Sequence, residues 1–181
     1  MFKRKTSGLL ARLLAGAILT AGMPAYAQTT EQVSSTADIV RPLTLVNTSD
    51  LDFGRIIAGP TAGTITLSAS NQVTSSGGVL SVGGTDNARF YGYGTYNQTV
   101  WIRAHTNTIS LARSGGGASM TVSDLTMAAT PVVPLNTTWR GFIIGSTDGF
   151  FGFSVGGQLS VGANQAAGIY NGTFTVELIY Q

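Results

Sequence analysis

Past its first two dozen residues, the chain places apolar side chains at alternate positions in short runs, and no apolar period of 3.6 residues persists. A period of two writes β-strands with one buried face. The clearest run is Phe174, Val176, Leu178 and Tyr180, alternating with Thr175, Glu177 and Ile179. Further strands are expected at 38–47, 51–57, 63–69, 79–82, 88–93, 99–104, 108–113, 139–144, 150–155 and 158–161. Met120, Val122, Leu125 and Met127 predict one more, with a bulge near Asp124. Pro42 cannot donate to a ladder, so it belongs at an edge or a bulge. Turns are expected at Gly59-Pro60, Ser75–Gly78, Gly83-Gly84 and 164–168, and a loop joining two neighbouring strands at Gly94–Asn97. Many short strands with Gly-rich turns predict an all-β antiparallel sandwich.

The first residues follow a different pattern. Lys3, Arg4 and Lys5 precede a mostly apolar stretch from Leu9 to Met23, and Ala25-Tyr26-Ala27 is a small-x-small cleavage motif. This is the layout of a secretion signal over residues 1–27, with no membrane span after cleavage. Residues 28–36 are polar around a single sizeable apolar residue, Val33, and predict a flexible extension. Residues 37–181 then form one β-sandwich domain.

Cleavage changes the charge picture. The chain has 10 basic and 8 acidic residues, and four of the basic ones (Lys3, Arg4, Lys5, Arg12) lie in the signal, so 10 − 4 = 6 remain against 8. The basic balance belongs to the precursor and gives no footprint for nucleic acid or an anionic membrane. The absence of cysteine removes disulfides, thiol chemistry and Cys-ligated metals.

Candidate chemistry is sparse, and no cofactor or metal is expected. The single histidine, His105, follows a strand in a turn-like setting, which suits a surface or hydrogen-bonded role better than a catalytic base. One His without Cys argues against zinc. Asp50 and Asp52 suit turn capping better than calcium, because dense oxygen donors are missing around them. Gly83-Gly84 and Gly115–Gly117 introduce no helix and so make poor phosphate cradles. Tyr91, Tyr93, Tyr96 and Trp101 read first as cross-strand packing and second as a sugar-binding face. Asn47, Asn97, Asn136 and Asn171 begin Asn-x-Ser/Thr triplets, which matter only in a glycosylating secretory route. The chain is expected to be no enzyme.

The C-terminus resembles that of pilins assembled by the chaperone–usher route. Tyr180 stands as the penultimate tyrosine, Phe174, Val176 and Leu178 alternate before it, and Gly168 is the fourteenth residue from the end. A second resemblance rests on Ala37–Leu45, Leu51–Ile56, Gly156–Val161 and Asn164–Val176. These segments look like a family of bacterial exported proteins, numbered 4402 among the domains of unknown function, which is similar to spore coat U and pilin-like proteins. The resemblance implies an immunoglobulin-like sandwich and a surface structure built by strand donation. A periplasmic chaperone, and then a second subunit, would fill a groove beside the terminal strand, with an outer-membrane usher as a further partner. Gly168, Phe174, Val176, Leu178 and Tyr180 would form the pairing strand. Val33, Ala37, Ile39, Leu43 and Leu45 are the candidate donor residues. Burying about four or five apolar side chains at roughly 1.5–3 kcal/mol each gives on the order of 6–15 kcal/mol gross, comparable to the net stability of a domain. The alternative is a self-sufficient binding module for a glycan or surface ligand, in which residues 37–46 fold back on the terminal strand.

Overall fold

The computed structural model describes residues 31–181. The signal-peptide reading of residues 1–27 and the start of the extension lie outside the described residues. Residues 31–37 have no regular secondary structure and are exposed.

Residues 38–181 form one compact unit. Its regular elements are strands: β1 (Thr44–Ser49), β2 (Arg55–Leu67), β3 (Val73–Gly83), β4 (Ala88–Tyr93), β5 (Thr99–Ala104), β6 (Ile109–Arg113), β7 (Ser119–Met127), β8 (Val133–Pro134), β9 (Arg140–Ile143), β10 (Phe150–Val161), β11 (Tyr170–Asn171) and β12 (Val176–Tyr180). A large nine-stranded sheet runs β1-β4-β10-β7-β6-β11, with β2 joined to β10 and β3, and β8 to β7. A small sheet runs β12-β5-β9. All pairings are antiparallel. The all-β, sandwich-like architecture expected from the alternation is the one observed.

The two inner faces meet in one core. On β5, Val100, Ile102 and Ala104 are buried while Thr99, Trp101 and Arg103 are only half-buried. Ile102 and Ala104 pack with Leu67, Phe90, Val122, Val155 and Leu159 of the large sheet. A second cluster of Val100, Ile144 and Phe151 closes one end. With no cysteine in the chain, these clusters and the ladders hold the fold. Each fully buried aliphatic side chain contributes about 1.5–3 kcal/mol gross.

Strands β4 and β5 have the bounds that the alternation predicts, and β7 bulges where expected. Asp124 has φ +48°, and the β7–β10 register slips between Ser123 and Thr126. Four expectations need correction. First, β1 begins at Thr44 and not at Asp38, because Pro42 interrupts the run and the Arg41 N–H bonds to Thr95 Oγ1 (2.6 Å) instead of a ladder carbonyl. Second, neither Gly59-Pro60 nor Ser75–Gly78 turns, because β2 and β3 run straight through them. Ala58 pairs with Val79 and Gly63 with Gly77, so residues 59–62 stand against Gly78 alone. This wide bulge absorbs the missing Pro60 donor inside one long strand. Gly77, at φ +74°, supplies the backbone that the opposite strand needs. Third, β10 runs unbroken through Gly156-Gly157, where Gly156 leaves room for the backbone of Leu67–Ala69 to pass against it. Fourth, β4 and β5 are consecutive but unpaired. The link around Gly94–Gln98 carries the chain from the large sheet to the small one, held by Gly94 N–H to the Gly149 carbonyl (2.9 Å) and Asn97 N–H to the Ile144 carbonyl (2.9 Å).

Candidate functional site

Strand β12 carries the terminal apolar alternation. Phe174, just before it, meets Phe90 edge-on with centroids 6.3 Å apart. Val176 and Leu178 pack against the main core, and Leu178 and Tyr180 against the end cluster. All four are half-buried, while Thr175 and Ile179 are exposed. The strand pairs with β5 from Val176↔Ala104 to Tyr180↔Val100. Among the described residues no strand pairs with its other edge. An unpaired edge offers a row of free N–H and C=O groups to a further strand.

The Tyr180 end is closed by the chain itself. The Tyr180 hydroxyl accepts from the Thr95 N–H (2.8 Å) and donates to the Arg41 carbonyl (2.8 Å). Leu43 and Leu45 pack into the same end cluster. Two of the expected donor residues, Leu43 and Leu45, are therefore committed to their own core. Val33 and Ile39 are 90% and 91% exposed, and Ala37 is exposed too, so these three remain available. The fold-back expected of a self-sufficient module is also corrected: β1 pairs with β4 and leaves the edge of β12 uncovered.

The Phe174 end is open. A groove of about 1250 Å³ lies over the inner face of the large sheet, lined by Phe53, Ile56, Ile109, Leu111, Met120 and Phe174. Ile109 is a core residue that also borders this space. Gly168 sits on the rim and not in the pairing strand. A Cβ there would stand 2.7 Å from Arg113 Nε, which donates to the Ala167 carbonyl (2.8 Å). Residues 170–171 form β11 on the edge of β6 before the chain crosses to the small sheet, so the terminal segment serves both sheets. Alternation in the sequence marked Phe174 but not its groove partners on β6 and β7. Their inward faces were legible, but which part of that face goes uncovered was not.

The remaining candidates are dispersed. His105 is exposed, with Nε2 3.8 Å from Glu177 Oε2, and Glu177 also pairs with Arg103 (2.8 Å). The Arg103 guanidinium lies 4.3 Å from the centroid of the Trp139 ring. Asp52 caps a turn by accepting the Gly54 N–H (2.8 Å). Asp86 accepts from Ser49 Oγ (2.8 Å) and pairs with Arg89 (2.6 Å). Both contacts hold its carboxyl below the ordinary aspartate range, the Ser49 hydrogen bond most of all. Tyr91, Tyr93, Tyr96 and Trp101 do not share one face. Tyr91 and Tyr93 project from the outer face of the large sheet, Tyr96 lies in the link, and Trp101 belongs to the small sheet.

Residues 43–180 match the family described as "Domain of unknown function (DUF4402)". The chain belongs to the DUF4402 family. The match begins at Leu43, the first of the described residues packed into the end cluster, and runs through Tyr180. No curated protein matches this DUF4402 chain.

Proposed function

We propose that this DUF4402 protein is a non-enzymatic, exported structural subunit of a fimbria-like surface appendage. In this reading it is assembled by strand donation in a pilin-like, immunoglobulin-type sandwich, and it contributes to adhesion. The observation that supports the reading is a combination: the unpaired edge of β12, and a partly apolar groove bordered by Phe174 just ahead of that strand. Strand addition uses both parts. Main-chain hydrogen bonds to the open edge supply affinity, and pockets for alternate side chains supply register. The donor is the N-terminal extension of another subunit, with Val33, Ala37 and Ile39 as its apolar contacts. A periplasmic chaperone occupies the groove first, and an outer-membrane usher exchanges it for the donor.

The test is expression of the full chain with its assembly partners, followed by gel analysis of surface extracts. Boiling-resistant ladders are expected from the wild type. Val33→Arg combined with Ile39→Arg should abolish them without unfolding the subunit, because both side chains are exposed. Tyr180→Ser should lower the yield and stop assembly. Undiminished ladders from the double variant would refute strand donation by this extension.

A further inference from the structure

The outer face of the large sheet carries three exposed aromatic rings where a solvated face is ordinarily polar. Tyr91 and Tyr93 project from β4, and Phe150 from β10. The Tyr91 and Phe150 rings lie 5.5 Å apart and within 21° of parallel. Tyr93 meets Phe150 edge-on at 5.5 Å. Gly152 is what permits this arrangement. It pairs directly with Tyr91, and a Cβ on it would stand 2.6 Å from the Tyr91 ring. With only hydrogen there, the ring lies down over the β10 backbone. Beside it is a hollow of about 320 Å³, lined by Tyr91, Phe150, Gly152, Ser154 and Ala128.

The geometry points to a binding site for a neutral pyranose glycan in this hollow. The chemistry has three parts. A flat ring face carries negative π density, and the axial C–H groups on one face of a pyranose carry partial positive charge, so the two stack. Tyr91 and Ser154 both line the hollow, and each carries a hydroxyl that can donate to or accept from the hydroxyls of a stacked sugar. Charge decides between a neutral and a charged ligand. No ionised side chain lines the hollow, and Arg89, on the same face, is already neutralised by Asp86 at 2.6 Å. An anionic ligand would find no counter-charge, and a cationic one only the ring faces. The hollow is shallow and open, so it offers a stacking platform for a ring and not an enclosing pocket. The site lies on the outer face and shares no lining residue with the groove.

The experiment is saturation-transfer NMR on the purified protein with cellobiose, maltotriose and chitobiose at millimolar concentration. Transfer to the ring C–H protons of at least one of them is expected. Tyr91→Ala and Phe150→Ala should each weaken that binding by about five- to tenfold, whereas Tyr91→Phe, which keeps the stacking face, should stay within about threefold. Circular dichroism should show all three variants folded, since the side chains are exposed. Absence of transfer from all three sugars to the wild type would overturn the site. So would unchanged binding in the folded alanine variants. Concentration-dependent dimerisation that Phe150→Ala removes would also overturn it, by assigning the patch to a second copy of the chain.

Discussion

The two ends of β12 are built from the same alternation, yet only one is finished by the chain itself. At the Tyr180 end, Val100, Ile144 and Phe151 are buried, Leu43 and Leu45 pack against them, and the hydroxyl of Tyr180 ties Thr95 to Arg41. At the Phe174 end, the ring packs on the main core, edge-on to Phe90, and borders a large open groove. An apolar period thus specifies which face of a strand turns inward. How much of that face gets covered depends on how far the opposite sheet extends, and here three strands stand against nine.

The sharpest way to break this contrast is to remove equal bulk from each end. Ile144→Ala empties a fully buried site and should cost about 2–5 kcal/mol. Leu111→Ala, on the groove wall, should cost less than about 2 kcal/mol in the isolated subunit, because its side chain is already partly solvated. Urea denaturation of both variants reads the difference. Equal losses would mean that the groove is closed in solution.

A smaller effect tests the latch at the closed end. Tyr180→Phe keeps the ring in its cluster and removes both hydrogen bonds of the hydroxyl. The expected cost is about 1–3 kcal/mol, from two bonds at roughly 0.5–1.5 kcal/mol each. Amide exchange should accelerate at Thr95, whose N–H loses its acceptor, and stay unchanged at the Phe174 end. Faster exchange along the whole of β12 would show that the two ends are one cooperative unit.

How much of this was legible beforehand depends on the kind of signal. Strands β4 and β5 alternate small or apolar inward residues, around Phe90 and Ile102, with polar or aromatic outward ones, so their bounds followed from local pattern alone. The Asp124 bulge was legible because Val122, Leu125 and Met127 break the period by one residue. Gly59-Pro60 misled because its turn chemistry is local, whereas its use as a bulge depends on β3 lying alongside. The link between β4 and β5 misled for a related reason: a short connection favours a hairpin, but the residues flanking this one pair in different sheets. Within the candidate site, Phe174, Val176, Leu178 and Tyr180 were readable as one face. The groove walls were not, because exposure of an inward face is a property of two sheets together. Phe150 carries no local mark of its surroundings: Phe151 and Val155 set the inward parity of β10, and only the pairing with Tyr93 of β4 puts its ring beside the outer tyrosines.

The smallest effect concerns acid, and it separates the two ends by a different route. Asp86 fastens the 49–54 segment, whose residues 50–54 border the open groove, to the start of β4. Its main chain bridges Asp52, and its carboxylate accepts from Ser49 and pairs with Arg89. The carboxyl titrates below the ordinary aspartate range for those reasons. A depressed folded-state pKa means that the stabilisation is present above the pKa of the unfolded chain and is lost as pH falls through the folded value. The carboxylate remains solvent-accessible, so solvent screens it and the loss is modest. The expected outcome is local. As pH falls below the ordinary aspartate range, amide exchange should rise along 49–54 before it rises at Thr95 or along the β5–β12 ladder. Asp86→Asn should show the faster exchange at neutral pH and lose the acid dependence. Simultaneous loosening of both ends would mean that the carboxylate of Asp86 has no separate hold on the groove rim.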